Sequence, residues 1–139
     1  MKRVLFDTNI ILDVLFEREP HFEASASVWA LVEQGKIEGA LSAHAVTTLH
    51  YLTRKETGAA KAKSVVSMIL QVFEVAAVNR DVIDEALKYT CPDFEDALTA
   101  SAARGAGCEY VITRDPKGFR GSPLRCLTPE AAIPLLRIE

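Results

Sequence analysis

The apolar residues of this chain follow two alternating patterns. A short apolar run over residues 3–6 stops at the polar corner Asp7-Thr8-Asn9, and apolar residues then recur with helical spacing from Ile10 onward. Short apolar runs of the same kind return further along the chain. The predicted strands cover residues 3–6, 37–41, 74–78 and 110–113, with residues 125–127 as a candidate fifth.

Helical patterns fill the segments between these strands. The helix that begins after the polar corner is followed by one that carries Phe22 and Trp29 and stops at Gly35. Ser42 is suited to cap the helix after the second strand, and Asp93 to cap an alanine-rich helix over residues 93–104. The remaining helices are predicted over residues 59–72, from residue 79 or 80, and from residues 128–130, and residues 116–123 form a Gly- and Pro-rich loop.

Strands that alternate with helices are typical of a parallel sheet covered on both faces. The fold class predicted is therefore α/β, as a three-layer α/β/α domain with a mostly parallel central sheet of four to five strands. The chain has 139 residues, a common size for one domain, so residues 1–139 are predicted to form a single domain.

Composition and charge narrow the functional classes. The formal net charge of -3 argues against a broadly basic surface that coats nucleic acid. Asp13 and Glu17 interrupt the first long apolar stretch, so no membrane span is expected. The chain opens without the features of a secretory signal, which predicts a cytoplasmic protein. Its three cysteines include no Cys-x-x-Cys pair, which speaks against a disulfide framework or a thiolate zinc site.

Four aspartates are candidates for a common site. Asp7 and Asp115 each follow an apolar strand, and ligands of parallel sheets collect beyond the carboxyl ends of the strands. Asp93 and Asp96 lie three residues apart at the start of the alanine-rich helix, on one helical face. Gathered carboxylates repel one another unless a cation intervenes, and Mg²⁺ or Mn²⁺ is suited to oxygen ligands. The pattern predicts a divalent-metal site of the kind that cleaves phosphodiesters.

Each acid also has a simpler explanation. Asp7 and Asp93 are both suited to helix caps, and Asp115 to a turn before a proline, whereas Asp96 is harder to explain because an unpaired carboxylate on a closely packed helix is costly. Asp13 should point away from the other acids. A phosphatase-like enzyme with Asp7 as nucleophile is a further alternative, although its usual Asp-x-Asp pattern is missing.

Three segments together resemble a known family. They are Leu5-Phe6-Asp7-Thr8-Asn9-Ile10-Ile11-Leu12-Asp13, Asp93-Phe94-Glu95-Asp96-Ala97-Leu98 and Val111-Ile112-Thr113-Arg114-Asp115. In this order and spacing they are similar to the PIN-domain nucleases, which include bacterial toxin ribonucleases of the VapC type. The resemblance implies a parallel-sheet α/β fold, Mg²⁺- or Mn²⁺-dependent cleavage of an RNA substrate, frequent homodimers and often an antitoxin partner. By position, Asp7, Asp96 and Asp115 match the family's catalytic acidic ligands, and Asn9 and Thr113 match its supporting polar positions.

The sequence departs from the family at one position. The family usually carries a further acid on the helix after the second strand, where this chain has Thr48. Asp93 is then a candidate helper to the metal ligands. The alternative function is a degenerate PIN-like domain that binds RNA or a protein partner without cleaving.

Basic and imidazole groups near the acids are weaker candidates for the site. Arg114, Lys117 and Arg120 form a small basic group beside Asp115 and are candidates for holding nucleic-acid phosphate, or for a simple solvated loop. His44 is a candidate for contact with RNA or for acid–base chemistry, with a surface or capping role as its simpler explanation.

Overall fold

A parallel sheet lies at the centre of this computed structural model, which describes residues 1–137. The last two residues of the predicted 1–139 domain lie outside the described residues. Within residues 1–137 the strands are β1 (Arg3–Phe6), β2 (Glu38–Ser42), β3 (Glu74–Ala76), β4 (Tyr110–Ile112) and β5 (Arg125–Leu127). The helices are α1 (Thr8–Leu15), α2 (Phe22–Glu33), α3 (Ala43–Thr57), α4 (Ala59–Val72), α5 (Arg80–Ala86), α6 (Phe94–Gly105) and α7 (Pro129–Arg137), with a 3₁₀ helix over Pro116–Phe119.

The order of the strands creates a crevice beside β1. The order is β3-β2-β1-β4-β5, and every neighbouring pair is parallel. From β1 the chain builds outward through β2 to β3, and then returns to the other side of β1 for β4 and β5. Ligands of such sheets bind where the strand order reverses, beyond the carboxyl ends. Here that point lies between the ends of β1 and β4.

Apolar residues on both faces of the sheet hold the layers together. Val4 and Phe6 of β1 belong to one buried cluster, which also contains side chains from α1, α2, α3, α4 and α7. Leu5, between them, belongs to a second cluster with small side chains of α6 such as Ala100 and Ala103. This alternation is the period of a strand buried on both faces, and it confirms the three-layer α/β/α class.

The predicted elements are present, with local differences at their ends. The sheet has five strands within the described residues and is entirely parallel, where a mostly parallel sheet of four to five was expected. Helix α1 begins at Thr8 because Asp7 caps it. Ser42 does occupy the N-cap position of α3, but the prediction that it caps through its side chain is wrong, since it makes no capping hydrogen bond. Within the predicted Gly- and Pro-rich loop, four residues form the 3₁₀ helix.

Across residues 1–137, no helix combines the length and the apolar character needed to cross a bilayer.

Candidate active site

Asp7 and Asp115 meet at the carboxyl ends of β1 and β4. The Thr113 hydroxyl links them: its Oγ1 donates to Asp7 Oδ2 at 2.9 Å and accepts from the backbone N–H of Asp115 at 3.1 Å. Thr113 is 1% exposed, so this link is closed to solvent. The second carboxylate oxygen of Asp7 accepts the N–H of Thr8 at 2.9 Å. Asp7 is therefore a helix cap and, at the same time, a carboxylate fixed in direction at the crevice.

Asp96 reaches the same point from α6. A Cβ built on Gly118, in the 3₁₀ helix that follows Asp115, would lie 2.5 Å from Asp96 Oδ2 and 3.4 Å from Asp115 Oδ2. Both carboxylates therefore press against the space that glycine leaves open. A side chain at position 118 would displace the Asp96 carboxylate, so the missing Cβ leaves room for that carboxylate beside Asp115.

Charge accumulates around Asp96. Its pKa is raised to about 7, first by burial and then by the negative charges of Asp7, Asp93, Glu95 and Asp115. The pKa of Asp7 is also raised, chiefly by burial, although its hydrogen bonds from Thr113 and Thr8 oppose the rise. Carboxyl groups whose pKa values rise through burial and mutual repulsion mark a site that favours positive charge.

The donor chemistry fits a hard cation. All the charged groups around Asp96 are carboxylates, which Mg²⁺ and Mn²⁺ accept as ligands, and the open space at Gly118 leaves room beside two of them. Within residues 1–137, however, no three acidic, histidine or cysteine side chains lie close enough to one point to hold an ion together. Among the described residues, the acids therefore lie near one another in the crevice, but no three of them converge on one point.

The other predicted site residues make contacts of their own. Asp93 is exposed and caps α6 by accepting the N–H of Glu95 at 2.7 Å. Asn9 is exposed and accepts from Arg18 Nη1 at 3.4 Å. Thr48 is exposed on α3. Lys117 and Arg120 are exposed on the loop after β4. Arg114 is half-buried and forms an ion pair with Asp13.

His44 lies on the β2 side of the crevice. Its Nε2 is 3.3 Å from Thr99 Oγ1, and that hydroxyl donates its proton to the carbonyl of Glu95 at 3.0 Å. The imidazole must therefore carry its proton on Nε2. Burial lowers the pKa of His44, while the nearby charges of Glu95 and Asp7 oppose the change. With its proton on Nε2, His44 is a hydrogen-bond donor to Thr99 on the β2 side of the acids.

Sequence reasoning missed two residues of this region and did not predict the burial of a third. Glu95 adds a carboxylate beside Asp7 and Asp96, and its place in the Asp-Phe-Glu-Asp run was the available signal. Gly118 gave no local signal, because its role depends on a contact with another helix. Asp13 was expected to point away from the other acids. It does not join them, but it is fully buried, and its position among apolar residues of α1 was a sign of a buried charge.

The PIN domain family matches residues 3–117, a range that includes all three acids of the crevice. The chain belongs to the PIN domain family.

Relatives of this PIN domain agree with that assignment. Ribonuclease VapC1 of Aquifex aeolicus (strain VF5) is 24% identical over 134 residues, which cover 93% of this chain and 92% of that protein. A chain of VapBC-1 from nontypeable Haemophilus influenzae has a TM-score of 0.72 at 15% identity, over 92% of this chain and 98% of that one. A chain of DNA-bound VapBC from Salmonella typhimurium has a TM-score of 0.71 at 18% identity, over 93% and 99%. The structural matches establish a shared fold.

Proposed function

We propose that this PIN domain is a metal-dependent endoribonuclease and the toxin of a toxin–antitoxin pair. The observation that carries the proposal is the gathering of Asp7, Asp96 and Asp115 beyond the ends of β1 and β4, with Asp96 held at a raised pKa by its neighbours. The relationship to a ribonuclease over nearly the whole chain supports the same reaction class.

Three acids would hold Mg²⁺ or Mn²⁺, and Asp93 and Glu95 would add negative charge behind them. A bound divalent cation supplies charge that stabilises phosphoryl oxygens and lowers the pKa of water. The chain's own contribution is orientation. Thr113 fixes the directions of Asp7 and of the Asp115 backbone, and Gly118 keeps the space beside Asp96 open. Arg114, Lys117 and Arg120 would supply positive charge for the RNA backbone beside the acids.

A cleavage assay tests the proposal. Purified protein is incubated with single-stranded and hairpin RNAs in Mg²⁺, in Mn²⁺ and in EDTA, alongside Asp7→Asn. Asp81→Asn, the same chemical change on the exposed first turn of α5, is the matched control. We expect cleavage by the wild type and the control in either metal, and none in EDTA or by Asp7→Asn. Equal cleavage by Asp7→Asn would refute the site, and RNA binding without cleavage would favour the degenerate alternative.

The partners follow from the same proposal. The structural relatives named above were solved as VapBC complexes, so an antitoxin encoded beside this gene is the expected protein partner. We propose that the single domain acts as a homodimer in the cytoplasm, where its RNA substrate lies. Co-expression with the neighbouring small reading frame, followed by light scattering on the purified protein with and without it, tests both associations. A monomer that captures no neighbour-encoded protein would contradict them.

A further inference from the structure

A second charged cluster lies beside the acids, and of its members the proposed function uses only Arg114. Its centre is Asp13, in the middle of α1, whose side chain is 0% exposed. The Ser25 hydroxyl donates to Asp13 Oδ2 at 3.2 Å, and the same oxygen lies 2.9 Å from Arg114 Nε. Arg18 Nη1 lies 3.9 Å from the other oxygen, Oδ1. A buried carboxylate is therefore flanked by two arginines from distant parts of the chain.

The contacts are electrostatic rather than fully hydrogen-bonded. Among the described residues, neither Asp13 Oδ1 nor Arg114 Nε has a hydrogen-bond partner of good geometry. Leaving a buried charge incompletely satisfied is costly, and small apolar residues would fill this space more cheaply. A contribution to stability therefore does not explain why the chain keeps this cluster.

Both arginine side chains are partly open to solvent. The Arg114 side chain is 29% exposed and that of Arg18 is 36% exposed. Arg114 precedes Asp115 in the chain and lies near enough to Asp7 to oppose the rise in that residue's pKa. Arg18 Nη1 donates to Asn9 Oδ1 at 3.4 Å, in the polar corner that follows Asp7. Two guanidinium groups outnumber one carboxylate, so the cluster presents positive charge where RNA must approach a group of acids.

We propose that Arg18 and Arg114 form a binding site for a backbone phosphate of the RNA, and that Asp13 is the positioning residue that orients them. The inference rests on the proposed function, because it assumes an RNA substrate in the crevice. Arginine is suited to the role, since its planar group engages one anion through some N–H groups while others remain free for a second. Asp13 Oδ2 lies 2.9 Å from Nε, the inner nitrogen of Arg114, and the outer nitrogens would bind the phosphate.

The test measures binding separately from cleavage. Affinity of the full chain for a fluorescein-labelled single-stranded RNA is measured by anisotropy in Ca²⁺ over a range of salt concentrations, with a gel to verify that the RNA is intact. For Arg114→Gln and Arg18→Gln we expect binding to weaken by about tenfold. The slope of log affinity against log salt should become shallower by about 0.7 for each lost phosphate contact. Arg104→Gln, an exposed arginine at the far end of α6, is the matched control.

The variant Asp13→Asn distinguishes a positioning role of Asp13 from a simple effect of its negative charge. Removing a negative charge should strengthen RNA binding if only net charge matters, whereas a misplaced Arg114 should weaken it. We expect weaker binding, and we expect the double variant with Arg114→Gln to bind no worse than Arg114→Gln alone. If Asp13→Asn fails to fold, Arg114→Lys keeps the charge but loses the planar fork, and it should still bind more weakly than the wild type.

Several outcomes would overturn the proposal. One is stronger or unchanged RNA binding by a folded Asp13→Asn, and another is wild-type affinity in Arg114→Lys. A third is a loss of affinity in Arg18→Gln and Arg114→Gln that is no larger than the loss in Arg104→Gln. The last is a wild type that does not bind RNA. Failure of the proposed function is distinguishable: a wild type that binds RNA with these effects but never cleaves it in Mg²⁺ or Mn²⁺ would retain the phosphate site and lose the nuclease.

Discussion

The raised pKa of Asp96 makes a prediction about stability that needs no substrate. In the folded, metal-free protein Asp96 keeps its proton up to about pH 7, whereas in the unfolded chain it releases it near the ordinary value of 3.8. The unfolded state therefore binds fewer protons between these values, so this group's contribution to folding stability falls as pH rises through that window. Above it, the full penalty of ionising Asp96 among its neighbours is present.

The size of this stability penalty follows from the shift in the pKa of Asp96 and from the exposure of its side chain. One pKa unit corresponds to about 1.4 kcal/mol, so the shift would be worth about 4 kcal/mol in a fully enclosed site. Asp96 is partly exposed, and screening by solvent reduces this to about 1–2 kcal/mol. Asp96→Asn removes the penalty, and we expect the metal-free variant to be more stable than the wild type by about that amount at pH 8 and by less at pH 5.

Urea denaturation in EDTA at both pH values measures the difference. Asp81→Asn is the control, and its free energy of unfolding should stay within about 0.5 kcal/mol of the wild type. In saturating Mn²⁺ the order should reverse, because only the wild type gains stability from a cation bound through Asp96. A variant that is no more stable than the wild type at pH 8, or that shows the same gain at pH 5, would refute the proposed crowding of charge.

Three further predictions concern the groups around the acids. Gly118→Ala places a methyl group against Asp96. We expect the Mn²⁺ affinity measured by calorimetry to fall about 10- to 100-fold, as for other changes that misplace a ligand. The control is Gly105→Ala, whose added Cβ makes only an ordinary van der Waals contact and which should leave the Mn²⁺ affinity unchanged. Thr113→Val removes the link between β1 and β4 and should lower the free energy of unfolding by about 1–3 kcal/mol, with Thr113→Ser close to wild type in urea denaturation. Thr48→Glu restores the acid that the family usually carries, one helical turn beyond His44, and should tighten Mn²⁺ binding in the same calorimetry; unchanged affinity would show that this position does not face the metal.

Local pattern was sufficient to predict the fold and the edge of the sheet where the acids lie. The apolar run before Asp7 and the one before Asp115 define strands because each ends at a polar residue, and parallel strands bring such ends to one edge. The exact ends of the helices were less predictable. For example, α1 begins as early as Thr8 because Asp7 caps it. The role of Gly118 was beyond sequence reasoning, because nothing in its own segment shows that Asp96 approaches from another helix.

Asp13 and Asp96 lie in one small region of the protein, but their negative charges are compensated in different ways. Asp96 is crowded by four other acids, and its proton or a cation relieves the repulsion. Asp13 is more deeply buried, yet two arginines lie beside it and offset its negative charge from within the chain itself. A cation entering the crevice would therefore act on Asp96 and leave the Asp13 pair intact. Because Arg114 adjoins Asp115 in the chain and contacts Asp13 in space, this cluster also ties α1 to the segment that carries one of the crowded acids. This charge pair thus joins α1 to the residue next to Asp115 without a contribution from a metal.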